Sequence, residues 1–154
     1  MNKLILAEKP SAARSIAAVL NANERGGGFF MGSGYIVSYC AGHLLELATP
    51  EKYDESYAKW RYTDLPIIPE VWKHIPAQGK AAQLEVVRSL MNRADVECVI
   101  NACDAGREGE HIFRLVYEYA KCSKPMPSQP TRCNFSNPNC SMKTSTPFGR
   151  MKCV

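Results

Sequence analysis

Apolar positions fall into two alternating rhythms along this chain, short unbroken runs and longer stretches of helical spacing. Leu4, Ile5, Leu6 and Ala7 form a run that ends at Glu8, which suits a strand buried on both faces. Lys9-Pro10-Ser11 follows with helix-start chemistry, since proline sets φ for a first helical turn. Ala12, Ala13, Ile16, Val19 and Leu20 then recur at helical spacing. Residues 21–28 read as a loop carrying three consecutive glycines. Residues 35–41, YIVSYCA, read as a second strand closed by Gly42 and His43. Across 48–78, Pro50, Pro66, Pro69 and Pro76 interrupt any long element. Helix returns over 80–94, with Leu84, Val87, Leu90, Met91 and Ala94 on one face. Residues 96–103 read as a third strand, apolar almost throughout. Residues 108–120 place Ile112, Leu115, Val116, Tyr119 and Ala120 on a helical stripe. Strands alternating with helices predict an α/β fold with a parallel sheet, and no internal repeat is present.

Length and composition narrow the class. The 154 residues suffice for one domain with a real core. No stretch approaches the roughly 18 apolar residues of a membrane span. At the amino terminus Glu8 and Lys9 interrupt the apolar run and no small-residue cleavage site follows, so it reads as a strand of a cytoplasmic protein. Of seven cysteines, Cys40, Cys98 and Cys103 lie in apolar runs, as buried thiols in a reducing compartment would.

The net charge of +4 conceals a division. Residues 1–120 carry 13 basic and 15 acidic side chains. Residues 121–154 carry six basic ones and no acid, with four of the cysteines and five of the ten prolines. That shift marks a boundary between a body at 1–120 and a basic Cys/Pro-rich tail at 121–154. A body of net charge −2 is no general polyanion binder.

Chemistry gathers where strands end. In open parallel sheets ligands bind beyond the carboxyl ends of the strands. Glu8 closes the first strand and Asp104 the third, and Glu108 and Glu110 follow in the stretch NACDAGREGEH. Carboxylates within about 4–6 Å raise one another's pKa unless a cation compensates. Hard oxygen ligands beside phosphates suit Mg²⁺. Gly106 and Gly109 would allow close backbone approach to a phosphate, and Arg107 offers a planar fork to a phosphate oxygen. Acids in a first helical turn are also favoured by the macrodipole alone, which leaves each single acid with a purely structural explanation.

Three ordered motifs, LILAEKPSAARSIAAVL, YIVSYCAGHLLEL and VINACDAGREGEHIFRLVYEY, resemble the Toprim domain of type IA DNA topoisomerases, nearest to the topoisomerase III branch. The resemblance covers roughly residues 1–120. It implies the Toprim fold, a central mostly parallel sheet with helices on both faces, and Mg²⁺-dependent cleavage and rejoining of one DNA strand, chiefly single-stranded DNA as partner. By that resemblance Glu8 handles the proton of the leaving 3′ oxygen near the metal, and Lys9 contacts the scissile phosphate. Asp104 and Glu108 match the outer acids of the family's DxDxE motif, so Glu8, Asp104 and Glu108 form the metal set. Arg107 and Glu110 match the rest of that run, and His43 matches a histidine that contacts or positions DNA.

Gly106 replaces the middle acid of DxD, as in relatives with a DAGREGE form. His111 stands where an aliphatic residue is usual. The family's nucleophilic tyrosine lies in a separate domain, and none of the seven tyrosines here has that context. The expectation is an N-terminal fragment, natural or frame-shifted, lacking strand passage by itself. Two other readings stay open: a small Toprim nuclease or primase sharing the acidic site, and a non-catalytic DNA-binding module. For the tail, a zinc site from Cys122, Cys133, Cys140 and Cys153 competes with a disordered basic segment, and no pair has the close spacing of zinc modules. The aromatic and basic residues of 52–73 suit stacking on single-stranded DNA or packing of a long loop, and packing is the expectation. Oligomeric state is not legible.

Overall fold

The structure, a computed structural model, describes residues 1–59 and 61–127. Seven strands and three helices follow in the order β1 (Asn2–Ala7), α1 (Pro10–Val19), β2 (Glu24–Gly26), β3 (Phe29–Gly32), β4 (Tyr35–Tyr39), β5 (Leu45–Leu47), β6 (His74–Pro76), α2 (Ala81–Met91), β7 (Val96–Ala102) and α3 (Arg107–Tyr119). Three short 3₁₀ turns lie between β5 and β6.

The main sheet has the order β2-β3-β4-β1-β7. β1 runs parallel to both β4 and β7, and its last residue, Ala7, stands opposite Tyr39 and Ala102. All three parallel strands therefore end on one level. The parallel centre matches the sequence expectation. The edge does not, because β2 lies within the stretch 21–28 that reads as a loop, and with β3 it forms an antiparallel hairpin on β4. Its turn uses Gly28 at φ 91°, while Phe29, Phe30 and Met31 give β3 the pairing side chains. Gly27 and Gly28 of the glycine run make the turn of this hairpin, and Gly26 ends β2 opposite Phe29.

Alternation along β1 sorts the core. Leu4 and Leu6 face α2 and α3, joining Leu84, Val87, Met91, Ile112, Phe113 and Val116. Ile5 and Ala7 face α1, joining Ala13, Ile16 and Ala17. A strand buried on both faces has to read as an unbroken apolar run, which is why Leu4 to Ala7 contains no polar residue. Helices thus cover both faces of the sheet. Two predicted stripes shift in detail. Val19 is exposed while Ala17 is buried, because α1 packs through small residues. Ala94 lies beyond the end of α2 and is exposed.

Residues 122–126 remain against the body. Cys122 is buried with its Sγ 3.5 Å from the Met91 carbonyl, and Met126 packs on the core. The Val99 N–H on the outer edge of β7 donates to the Pro125 carbonyl at 3.1 Å, and the Tyr117 hydroxyl donates to the Lys124 carbonyl at 2.6 Å. Cys133, Cys140 and Cys153 of the candidate zinc set lie outside the described residues, as does most of the tail.

The segment joining β5 to β6 divides its aromatic residues. Tyr53 is packed: its hydroxyl accepts the Lys73 N–H at 2.7 Å and its ring lies under the Lys73 ammonium at 5.3 Å. Tyr62 and Trp72 are 93% and 56% exposed, so loop packing does not account for them. Among the described residues no helix is long and apolar enough to cross a membrane.

Candidate metal and phosphate site

Glu8 directly follows β1, and Asp104 follows β7 by two residues, so neighbouring parallel strands deliver both acids to one side of the sheet. Lys9 is the N-cap of α1 in extended conformation, with Pro10 as the first helical residue. Its Nζ lies 3.5 Å from Glu8 Oε1 and 3.2 Å from Asp104 Oδ2. One ammonium therefore bridges two strand-end carboxylates. Both contacts hold the Lys9 amine protonated above its usual range, first through the Asp104 hydrogen bond and charge and then through Glu8. Glu8 is 8% exposed, and a buried carboxylate without a cation is costly.

Pairing between β4 and β1 continues past the strands. Cys40 N–H donates to the Ala7 carbonyl at 2.9 Å, and Gly42 N–H to the Glu8 carbonyl at 3.1 Å. The turn that follows requires positive φ at Ala41 (50°) and Gly42 (74°). Lys80 closes it from α2's N-cap, its Nζ donating to the carbonyls of Ala41 at 3.0 Å and His43 at 2.9 Å. The turn presents His43 to α3, where Nε2 stands 3.6 Å from Glu108 Oε1. The rings of His43 and His111 lie 6.2 Å apart. Beneath the site the buried Cys40 thiol is pushed well up from its ordinary pKa, first by its hydrogen bond with Cys103 and then by burial.

The Asp104 turn is built by a separate group of residues. Gly106 N–H donates to the Asp104 carbonyl at 2.8 Å, and α3 begins at Arg107. The Asn101 side chain accepts the Cys103 N–H at 3.0 Å and donates to Glu110 Oε2 at 2.9 Å. Glu110 Oε1 accepts from Arg114 Nε at 2.9 Å. Glu110 is thereby tied to the base of the turn through Asn101.

The predicted residues sort into three groups. Glu8, Lys9 and Asp104 meet. His43 and Glu108 meet one another. Arg107 is exposed on the first turn of α3 and makes no ion pair with a described residue. The glycines also differ from expectation. Gly106 faces open space, while Gly109 is packed against the Asp104 backbone, so its smallness serves the turn. Sequence reasoning missed Lys80 and Asn101, which carry no motif signal, and it had no account of His111.

Among the described residues no three His, Cys, Asp or Glu side chains are grouped closely enough to hold a metal ion. The donor chemistry nonetheless fits Mg²⁺: Glu8 and Asp104 offer hard oxygens, and both already lie within 3.5 Å of one cationic nitrogen. Glu108, the third expected ligand, is engaged with His43.

A sheet with parallel centre, helices on both faces and acids beyond two adjacent strand ends defines an α/β domain with a polar site at its strand tips. The chain belongs to the Toprim domain family, whose profile matches residues 3–138. It is similar to a protein named DNA topoisomerase 3 from Staphylococcus saprophyticus, 48% identical over 125 residues, covering 81% of this chain and 18% of that one. A DNA topoisomerase 3 from Bacillus licheniformis is 45% identical, covering 80% of this chain and 17% of its own length. One from Shouchella clausii is 43% identical, with 80% and 17% covered. The chain thus spans less than a fifth of the length of the curated relatives it matches.

Proposed function

We propose that this chain supplies the Mg²⁺ and phosphate site of a type IA, topoisomerase 3-like enzyme that cuts and rejoins single-stranded DNA in the cytoplasm. The observation that carries the reading is the meeting of Glu8 and Asp104 around one cation at adjacent strand ends, in a chain 43–48% identical to proteins named DNA topoisomerase 3.

Glu8 and Asp104 would hold the metal, joined by Glu108 once it leaves His43, and the metal would supply charge neutralisation at the phosphate. Lys9 and Arg107 pair with phosphate oxygens, Lys9 as a point charge and Arg107 through its fork. The amino terminus of α3 lies on the same side, where the helix dipole favours a phosphate. Glu8 holds the proton exchanged with the leaving 3′ oxygen, a task suited to a carboxylate shielded from water. His43 positions the DNA strand, and Glu110 on α3 holds the Asp104 turn through Asn101. The nucleophilic tyrosine is assigned to none of the seven tyrosines of this chain, so strand passage needs more than these residues. The body at 1–120 carries this site, residues 122–126 help pack that body, and the basic character of the tail at 121–154 adds electrostatic affinity for DNA.

The test is an Mg²⁺ titration followed by calorimetry and by anisotropy of a labelled single-stranded oligonucleotide. Mg²⁺ binding that strengthens oligonucleotide binding and is lost in Glu8→Gln and Asp104→Asn supports the reading. Unchanged stability and DNA affinity with Mg²⁺ would point to a non-catalytic module. Mg²⁺-dependent hydrolysis by this chain alone would point to a nuclease.

A further inference from the structure

Lys9 occupies an unusual position for a residue meant to meet a phosphate. Its ammonium is turned inward onto the two carboxylates, and among the described residues it is the one cation within 4 Å of either. Glu8 is nearly buried and has no other ion partner there. We propose that Lys9 is the built-in counter-ion of the Glu8–Asp104 pair, and that it swings out to meet phosphate only when a divalent cation takes its place. This inference rests on the Mg²⁺ reading above.

Two features make the exchange feasible. The backbone of Lys9 is fixed, because it is the N-cap of α1 and the Ala13 N–H donates to its carbonyl at 3.0 Å. The ammonium rides on a flexible four-carbon stem, and the side chain is 58% exposed. Leaving Asp104 costs little, because that contact is partly open to solvent, whereas the nearly buried Glu8 can be left only when the divalent cation replaces the ammonium's charge beside it. Staying beside a divalent cation on the same oxygens would bring like charges into close contact. The released ammonium stays tethered one residue from Glu8, poised for an anion. Metal and phosphate binding are then coupled through one side chain, each favouring the other.

The experiment measures Mg²⁺ affinity of wild type, Lys9→Met and Arg14→Gln by calorimetry, with Arg14 as an exposed cation of the same helix. Alongside it, ¹⁵N spectra of the lysine ammonium groups are recorded with and without Mg²⁺. Lys9→Met should bind Mg²⁺ about three- to tenfold tighter, as loss of two competing ion contacts implies, and Arg14→Gln should change affinity by less than about twofold, as a screened surface charge implies. The Lys9 ammonium signal should be protected without metal and exchange-broadened at saturation. If wild type binds Mg²⁺ but Lys9→Met binds it no tighter, or Lys9 keeps its protection at saturation, this inference falls and the metal site stands. If neither protein binds Mg²⁺, the metal reading falls and takes the inference with it.

Discussion

The backbone of Asp104 lies against the Cα of Gly109. A Cβ at position 109 would stand 3.0 Å from the Asp104 nitrogen and 3.1 Å from its carbonyl carbon, and would overlap its oxygen. The acid at the tip of β7 therefore takes its place only because the third residue of α3 has no side chain.

Gly109→Ala sets two effects against each other. Helix propensity favours alanine by up to about 1 kcal/mol, while forcing a methyl into filled space costs about 1–3 kcal/mol. The obstruction is backbone and cannot turn aside, so the clash wins. Urea denaturation should show a loss of about 1–2 kcal/mol, with Mg²⁺ affinity lowered through the displaced Asp104. A variant as stable as wild type would refute the tight approach.

Gly106 is the opposite case. Nothing lies within 4 Å of a Cβ built there, and its φ of −163° is open to any residue. Gly106→Asp should leave stability within about 0.5 kcal/mol and raise Mg²⁺ affinity several-fold by adding a carboxylate beside the site. Unaltered Mg²⁺ binding in a well-folded variant would place the metal away from this turn.

Two glutamates two residues apart should behave differently. Glu110→Ala removes the carboxylate that accepts from the Asn101 amide and from Arg114 and should cost about 1 kcal/mol in thermal or urea melts. Glu108→Ala removes an exposed pair with His43. It should change stability by less than about 0.5 kcal/mol while weakening Mg²⁺-dependent DNA binding. Equal effects of the two on both readouts would contradict the division of roles.

Acid should weaken the far end of the same strand pair. Asp95 precedes β7, and its carboxyl is lowered to about 2, chiefly by hydrogen bonds from Arg93, with Asn2 adding another. A depressed carboxyl means that the unfolded chain takes up the proton first. Its contribution is complete above the unfolded value of about 3.9 and is lost as pH falls toward 2. Urea melts from pH 5 to about 2 should show a steeper decline for wild type than for Asp95→Asn. Parallel curves would remove Asp95 from the acid limb.

Much of this was legible in one dimension because burial constrains residue type. Strand segments covered on both faces have to be apolar, so Leu4–Ala7 of β1 and the Cys98–Ile100 stretch of β7 announced themselves, and helical stripes did the same for α2 and α3. Glu8 and Asp104 stood out because a charge at the end of such a run is placed at a sheet edge by the run itself. The hairpin of β2 and β3 was hidden, since its exposed first strand carries no burial pattern.

What the sequence determined, then, is the identity and order of the acids, the strands that carry them and the family to which they belong. Only the tertiary structure decided which of them meet. β1 and β7 are neighbours through pairing between residues almost a hundred positions apart, and that pairing brings Lys9 onto Asp104, while Glu110 stays on α3 with Asn101 and Arg114. Lys80, Asn101 and Gly109 shape the site through contacts with backbone atoms, and a backbone atom leaves no mark on residue type. Side-chain chemistry can be read along a chain, whereas the distances that turn it into a site are properties of the packed sheet.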